Sequence, residues 1–335
     1  MNVLFLIQDV NLPSSRIRIQ NLVPELEGHG INCDVRCYPK TFGEKLALFK
    51  TVNRYDAVYL QKKLPTLLEF YLLRLAARKL IFDFDDAIYC RHDAKIYQRS
   101  FTRRLRFQRI VRHADLVIAG NTFLAKAAED STSGRVVIIP SAVETRQIPL
   151  KKHEPNLESK VVIGWVGTSG NFTHLAIAIP SMIRIAEETR IELCVISNQP
   201  PEFEFKLMRF IPWSLETQAE EIARFDIGIM PLPATEFSAG KCGYKALQYM
   251  AAGVPPVVSD VGGNSQIITD GIHGLIVAHP DFFYDALKSL IQKPSLRTEL
   301  GRNARERVES LFSIHVIGKK LAAELLALLP TGEKL

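Results

Sequence analysis

Apolar residues in this chain fall into short dense runs, separated by longer stretches in which they recur at helical spacing. Residues 3–7 (VLFLI) are too few for a helix and rich in large aliphatic side chains, which predicts a strand buried on both faces. Residues 31–37, 56–60, 80–84, 115–119 and 136–139 read the same way. Between them, 19–29 is amphipathic and closed by Gly30, 65–78 is a leucine-rich helix, and 9–18 reads as a polar loop. Residues 144–160 are charged, carry Pro149 and Pro155, and predict a linker. The pattern then restarts, with strands over 161–166, 192–196, 209–211, 227–230 and 256–259. Two helices follow, over 296–311, with Leu300, Ala304, Val308 and Leu311 on one side, and over 316–329. Strands alternating with helices predict an α/β fold with mostly parallel sheets. The expected organisation is two Rossmann-like, doubly wound domains, 1–150 and 160–312, facing across a cleft, plus a terminal helix in 313–335.

Length supports two domains, because 335 residues exceed what one core of about 150 residues holds. No run of about 18 apolar residues is present to span a membrane. The start, MNVLFLIQDV, has no basic leader and reads as a first strand. Five scattered cysteines, at 33, 37, 90, 194 and 242, predict a reduced, cytoplasmic setting. Cys33 and Cys37 lack a second pair to complete a zinc site, so no metal is expected. The net charge of +6 is concentrated in 97–113, where Arg99, Arg103, Arg104, Arg106, Arg109 and Arg112 meet no acid. Phe101, Leu105, Ile110 and Val111 give that segment an apolar side. It reads either as a surface helix near a phosphate-rich site or as a basic amphipathic helix on an anionic membrane surface, peripheral on the inner face. No aromatic-basic platform accompanies the charge, which argues against nucleic acid. No G-x-G-x-x-G follows a strand, which argues against a dinucleotide-dependent dehydrogenase.

The most informative stretch is 240–277. A helix following Gly240 would place Lys241, Lys245, Gln248 and Ala252 on one stripe, with Ala246, Leu247, Met250 and Ala251 opposite, and Gly253 as its end. Two ammonium groups beside free N–H groups make a site for a polyanion such as a diphosphate; the plainer reading is a surface helix with solvated lysines. Gly167, Thr168 and Ser169 form a glycine loop after a strand, where N–H groups can approach phosphate, with His174 nearby; the alternative is an ordinary strand-to-helix turn. After the first strand, Arg16 and Arg18 are candidates for phosphate or acceptor contact, pointing the same way only if the chain is extended there. One of Ser14 and Ser15 caps the next helix, and Ser15 is included with the acceptor candidates. Asp83, Asp85 and Asp86 follow a buried strand. They read as a D-x-D metal site, as an aspartyl-phosphatase motif, or as residues at the edge of a ligand cleft, with Asp83 structural.

Residues 241–277 are similar to the nucleotide-sugar signature of retaining GT-B glycosyltransferases of family 4, the group 1 type. The runs at 114–124, 136–144, 163–175 and 225–233 fall in the order that family shows, so the resemblance covers nearly the whole chain. It implies transfer of a sugar, with retention, from a nucleotide-diphosphate sugar to a glycan or lipid-linked acceptor in polysaccharide or glycolipid assembly. It implies no metal and no cofactor, since Lys241 and Lys245 would stabilise the departing diphosphate, which takes the acceptor's proton. Pro212 and Trp213 would lie near the base, Gly240, Tyr244 and Gln248 would line the donor site, and Asp85 or Asp86 would orient the acceptor hydroxyl or the donor sugar. The last helix would cross back onto the N-terminal domain. The family's usual glutamate pair falls here at Gly240 and Gln248. That departure keeps open a catalytically weak nucleotide-sugar-binding protein, and Asp83 with Asp85 keeps open a Mg²⁺-dependent phosphatase.

Overall fold

The computed structural model describes residues 1–90, 100–152 and 160–329. The chain forms two compact units. The first is Met1–Ala142 with Ala239–Cys242 and Ile314–Leu335; the second is Val143–Ser238 with Gly243–Ser313.

The first unit holds a six-stranded sheet in the order β2-β1-β3-β4-β5-β6. Its strands are β1 (Asn2–Ile7), β2 (Asn32–Cys37), β3 (Ala57–Gln61), β4 (Leu80–Phe84), β5 (Leu116–Ala119) and β6 (Val136–Ile138). All pairs are parallel. Residues Val3 to Ile7 are wholly buried because parallel strands carry helices on both faces. The helices are α1 (Pro13–Arg18), α2 (Val23–Gly28), α3 (Phe42–Phe49), α4 (Leu67–Ala76), α5 (Phe101–His113) and α6 (Thr122–Glu129). Capping boxes start α3 and α4, each pairing a threonine with a glutamate three residues on (Thr41 with Glu44, Thr66 with Glu69). Ser100 and Asn121 cap α5 and α6. Right-handed crossovers put α2 on one face of the sheet and α3 to α6 on the other, since the strand order reverses between β1 and β3. On the α2 face the chain's final helix, Ile314–Leu326, packs Ile317, Leu321 and Leu325 into one cluster with Phe5, Leu26 and Ile81.

The segment expected as a polar loop is helical in its second half. Pro13 opens α1 after an extended Leu12, as proline does at a first helical position. A helix rotates residues two apart to nearly opposite sides, so Arg16 and Arg18 do not point the same way. Arg18 is buried and Arg16 half-buried.

The second unit repeats the plan, with sheet order β12-β11-β10-β7-β8-β9. Its strands are β7 (Val161–Val166), β8 (Ile191–Ser197), β9 (Met208–Pro212), β10 (Ile227–Met230), β11 (Pro256–Ser259) and β12 (Leu275–Val277), again parallel. Helices α7 (Phe172–Leu175), α8 (Ile179–Glu188), α9 (Gln218–Ala223), α10 (Glu236–Ala239), α11 (Tyr244–Ala251), α12 (Asn264–Ile267), α13 (Phe282–Gln292) and α14 (Pro294–Leu311) precede α15, the final helix already described. Leu275 to Val277 pairs with Val257 to Ser259 as an edge strand. The segment read as a linker is bonded within this unit as far as it is described. Arg305 Nη2 donates to the Thr145 carbonyl at 2.5 Å and Lys151 N to the Ala252 carbonyl at 2.8 Å. Pro155 lies outside the described residues.

Candidate functional site

In the first unit the strand order reverses between β1 and β3, and the polar residues of interest gather at the carboxyl ends of these strands and of β4. That is where open α/β sheets bind ligands. Asp83 closes in on Arg18. The guanidinium Nε lies 3.3 Å from Asp83 Oδ2, Nη2 meets Oδ1, and Nη1 donates to the Ile139 carbonyl at 2.7 Å. Both side chains are buried. Burial pushes the Asp83 carboxyl up, opposed by the Arg18 charge. Burial alone would lower Arg18, but Asp83 outweighs it and holds the guanidinium above its ordinary value. Arg18 and Asp83 therefore form a structural brace, and neither is displayed to a ligand. Ser15 is also fully buried, and its hydroxyl has no hydrogen-bond partner among the described residues.

Two residues after Asp83 the chemistry changes. Lys62, which follows β3, has φ +53, the left-handed region where a non-glycine residue is uncommon. That turn directs its ammonium onto both neighbouring carboxylates, 2.8 Å from Asp85 Oδ1 and 2.5 Å from Asp86 Oδ2. Lys241 reaches the other oxygen, Asp86 Oδ1, at 2.9 Å. Burial would raise Asp86, yet Lys241 and Lys62 outweigh it and hold the carboxyl at about 2. Burial would lower Lys62, but Asp85 and Asp86 hold it above its ordinary value.

Lys241 is delivered by the segment Ala239–Cys242, which belongs to this unit. Asn121 Nδ2 donates to the Ala239 and Lys241 carbonyls at 3.3 and 3.1 Å while its Oδ1 caps α6. Cys242 Sγ donates to the Asp85 carbonyl at 3.2 Å, and burial pushes this thiol well up. A Cβ on Gly240 would sit 2.6 Å from the Ala87 nitrogen, so the close backbone approach excludes any larger side chain at this position.

In the second unit, β7 ends at Val166 and the glycine loop follows. Its N–H groups are largely committed: Gly167 N donates to the Ile196 carbonyl at 3.0 Å, and Ser169 N to Asn198 Oδ1 at 2.8 Å. Thr168 Oγ1 accepts from Asn171 Nδ2 at 2.9 Å. Short helical turns follow and lead into α8, and His174 within α7 is buried rather than displayed. A Cβ on Gly167 would lie 2.8 Å from Lys245 Cε, and the Lys245 ammonium rests 5.4 Å from the centre of the Trp165 ring.

Helix α11 begins at Tyr244, not beside Gly240. Gly243 occupies the cap at φ +67, a conformation that glycine adopts without strain. The expected stripe therefore does not form, because Lys241 is off the helix and only Lys245 and Gln248 are on it. Gln248 Nε2 donates to Gln218 Oε1 at 3.2 Å, and the same oxygen accepts from Trp213 Nε1 at 3.1 Å. Trp213 is partly exposed just beyond Pro212, itself exposed at the end of β9. Gln218 thus joins the two positions expected near the nucleotide, and nothing in its sequence context marked it.

The structure brings together Asp85, Asp86 and Lys241, adds Lys62, and separately groups Trp213 and Gln248 around Gln218, with Pro212 next to Trp213 in the chain. It sets Asp83 apart from Asp85, since one is closed by Arg18 and the other by Lys62, so the two do not present a paired phosphatase motif. Among the described residues no group of three or more His, Cys, Asp or Glu is placed to hold a metal ion.

Residues 160–293 match the family model of glycosyl transferases group 1. This stretch belongs to that family. The chain is 37% identical over 87 residues to D-inositol 3-phosphate glycosyltransferase of Paenarthrobacter aurescens, covering 25% of this chain and 20% of the relative. It is 33% identical over 81 residues to the capsular polysaccharide biosynthesis glycosyltransferase CapM of Staphylococcus aureus, covering 24% and 21%. The aligned part thus spans about a fifth of these curated relatives. The fold extends the likeness to nearly the whole chain. Sucrose-phosphate synthase from Thermosynechococcus elongatus superposes with a TM-score of 0.76 at 16% identity, over 98% of this chain and 99% of that one. Anabaena HepE, solved with UDP-glucose, gives 0.70 at 15% identity, over 98% and 100%. The chain therefore has the α/β architecture of GT-B enzymes, two parallel six-stranded sheets clothed in helices.

Proposed function

We propose that this protein is a glycosyltransferase that takes a sugar from a nucleotide-diphosphate donor and passes it, with retention and without a metal, to a glycan or lipid-linked acceptor. The match of residues 160–293 to the group 1 family carries the reading. Two further observations support it: HepE, a neighbour in fold, was solved with UDP and UDP-glucose, and one relative assembles capsular polysaccharide.

In this reading the second unit holds the donor. Lys245 lies against the glycine loop of Gly167, Thr168 and Ser169, where its ammonium stabilises negative charge developing on the leaving diphosphate. Gln218 holds Gln248 and Trp213 for the nucleoside, with Pro212 and Tyr244 beside them as donor contacts. In the first unit, Asp85 and Asp86 orient a sugar or acceptor hydroxyl, while Lys62 and Lys241 keep Asp86 ionised. A carboxyl held at about 2 is a poor general base, since a base works best with a pKa near the operating pH. Asp86 therefore orients by accepting hydrogen bonds, and the acceptor's proton passes to the departing phosphate. Arg16 remains a candidate contact to the acceptor or a phosphate, whereas Arg18 and Ser15 are enclosed. A cytoplasmic setting, peripheral to a membrane, completes the reading.

Thermal shift with a panel of nucleoside diphosphates and their sugars, without metal, tests it. A ligand at 100 times its Kd adds roughly 2.7 kcal/mol to the folded state, so one nucleotide family should raise the transition by several degrees. Lys245→Ala and Gln248→Ala should diminish that shift. No shift with any nucleotide would overturn the donor assignment.

A further inference from the structure

The first unit carries an anomaly that the transfer chemistry does not use. Helices α3, α4 and α5 lie on one face of its sheet, joined by Lys45 to Glu69 at 2.8 Å and by Arg74 Nε to the His113 carbonyl at 3.0 Å. Each of these helices buries one apolar side and exposes another. On α4, Phe70 and Leu73 face the core, yet Leu67, Tyr71 and Leu75, spaced i, i+4, i+8, are exposed, Leu75 by 85%. On α3, Phe42 and Leu46 repeat the exposed i, i+4 pair. On α5, Phe107, Ile110 and Val111 are buried, whereas Phe101 and Leu105 are exposed, Phe101 by 77%. The apolar side expected for α5 is thus divided: Ile110 and Val111 belong to the core, and only Phe101 and Leu105 face outward. Arg99 lies outside the described residues.

Eight of the nineteen large hydrophobic side chains exposed among the described residues sit on these three helices. An apolar ridge of this extent marks an interaction surface, because scattered exposed residues do not align along adjacent helices. Its charge selects the partner. The three helices carry seven Lys and Arg against two Glu, and α5 carries five arginines with no acid. Both glutamates are engaged in capping boxes, and Glu69 also pairs with Lys45. Arg103 and Arg104 are exposed between Phe101 and Leu105. A second copy docking through the same face would bring arginine against arginine. Aromatic and leucine side chains interleaved with exposed cations suit the boundary between acyl chains and anionic headgroups.

We propose that the exposed face of α3, α4 and α5 binds an anionic lipid surface directly, with the apolar ridge entering the interface and the arginines of α5 holding headgroups. This names the surface for the membrane-peripheral setting proposed above and does not depend on sugar transfer, because vesicle binding needs neither donor nor acceptor.

Co-sedimentation of the full chain with phosphatidylcholine vesicles, with and without phosphatidylglycerol, tests the surface. Binding is expected to the anionic vesicles and to fall by about ten-fold or more on neutral ones. Tyr71→Ser with Leu75→Ser removes two apolar side chains from the interface and should lower binding about ten-fold or more. Arg103→Gln with Arg104→Gln should lower binding on anionic vesicles about twenty-fold, near five-fold per charge. All four side chains are exposed, with only the Arg103 bond to the Ile88 carbonyl and the Tyr71 edge contacts with Phe70 and His113 lost, so the melting temperature should move by no more than a few degrees. Three outcomes would each overturn the proposal: no binding to anionic vesicles, binding that neither double variant changes, or a dimer that Tyr71→Ser with Leu75→Ser disperses while lipid is ignored.

Discussion

Asp86 is pinned between two ammonium groups, and this gives the first unit a defined response to acid. Its carboxyl sits at about 2 when folded, against an ordinary value of 3.8. The unfolded chain therefore takes up this proton first as pH falls. The stabilisation is complete above about pH 4 and is lost as pH falls through 2, with a size of roughly 2 kcal/mol. Comparing urea unfolding of the wild type with Asp86→Asn between pH 5 and pH 2 should show the difference closing over that window. If the two curves run parallel, the pairing contributes nothing. At this scale the sequence showed the carboxylates and Lys241 but not Lys62. A lysine in the left-handed region looks like any other lysine until its backbone is known. Asp83 was legible as structural, but its partner Arg18 was assigned to a ligand, because burial of an arginine depends on what folds over it.

At the scale of elements, the strands were legible almost to the residue, since buried parallel strands write themselves as dense apolar runs. Edges and starts were not. Leu275 to Val277 is short and follows a glycine turn, so periodicity has too few positions to register a strand. The start of α11 was read three residues early, because Gly240 and Gly243 are both plausible stops and only the second adopts a positive φ. A Cβ at Gly243 would also lie 2.4 Å from Ile267 Cδ1. Gly243→Ala should therefore destabilise the second unit by about 1–2 kcal/mol, from left-handed strain and overpacking together. Chemical denaturation with tryptophan fluorescence would measure it. A neutral substitution would mean that α11 starts differently.

At the scale of the molecule, each unit is assembled from distant stretches of chain. The first unit needs α15, which buries Ile317, Leu321 and Leu325 against the sheet. Each such large aliphatic side chain contributes about 1.5–3 kcal/mol when fully buried. Ending the chain after Ser313 should thus unfold or loosen the first unit while the second stays folded. Hydrogen exchange would show this as fast exchange through β1 and β3 with β7 and β8 still protected. Equal protection in both units would contradict it.

The sequence by itself determined the α/β class, two doubly wound sheets, most strand positions and the family of residues 160–293. These depend on local periodicity and on short motifs, which a chain carries in its order of residues. Tertiary structure alone decided which charges meet. It placed Lys241 with Asp86 and Lys62, enclosed Arg18 with Asp83, set Gly240 against Ala87 and turned part of α4 outward. The physical reason is that pairing, burial and close approach are properties of residues brought together from far apart in the chain, and no local pattern encodes which distant partner arrives.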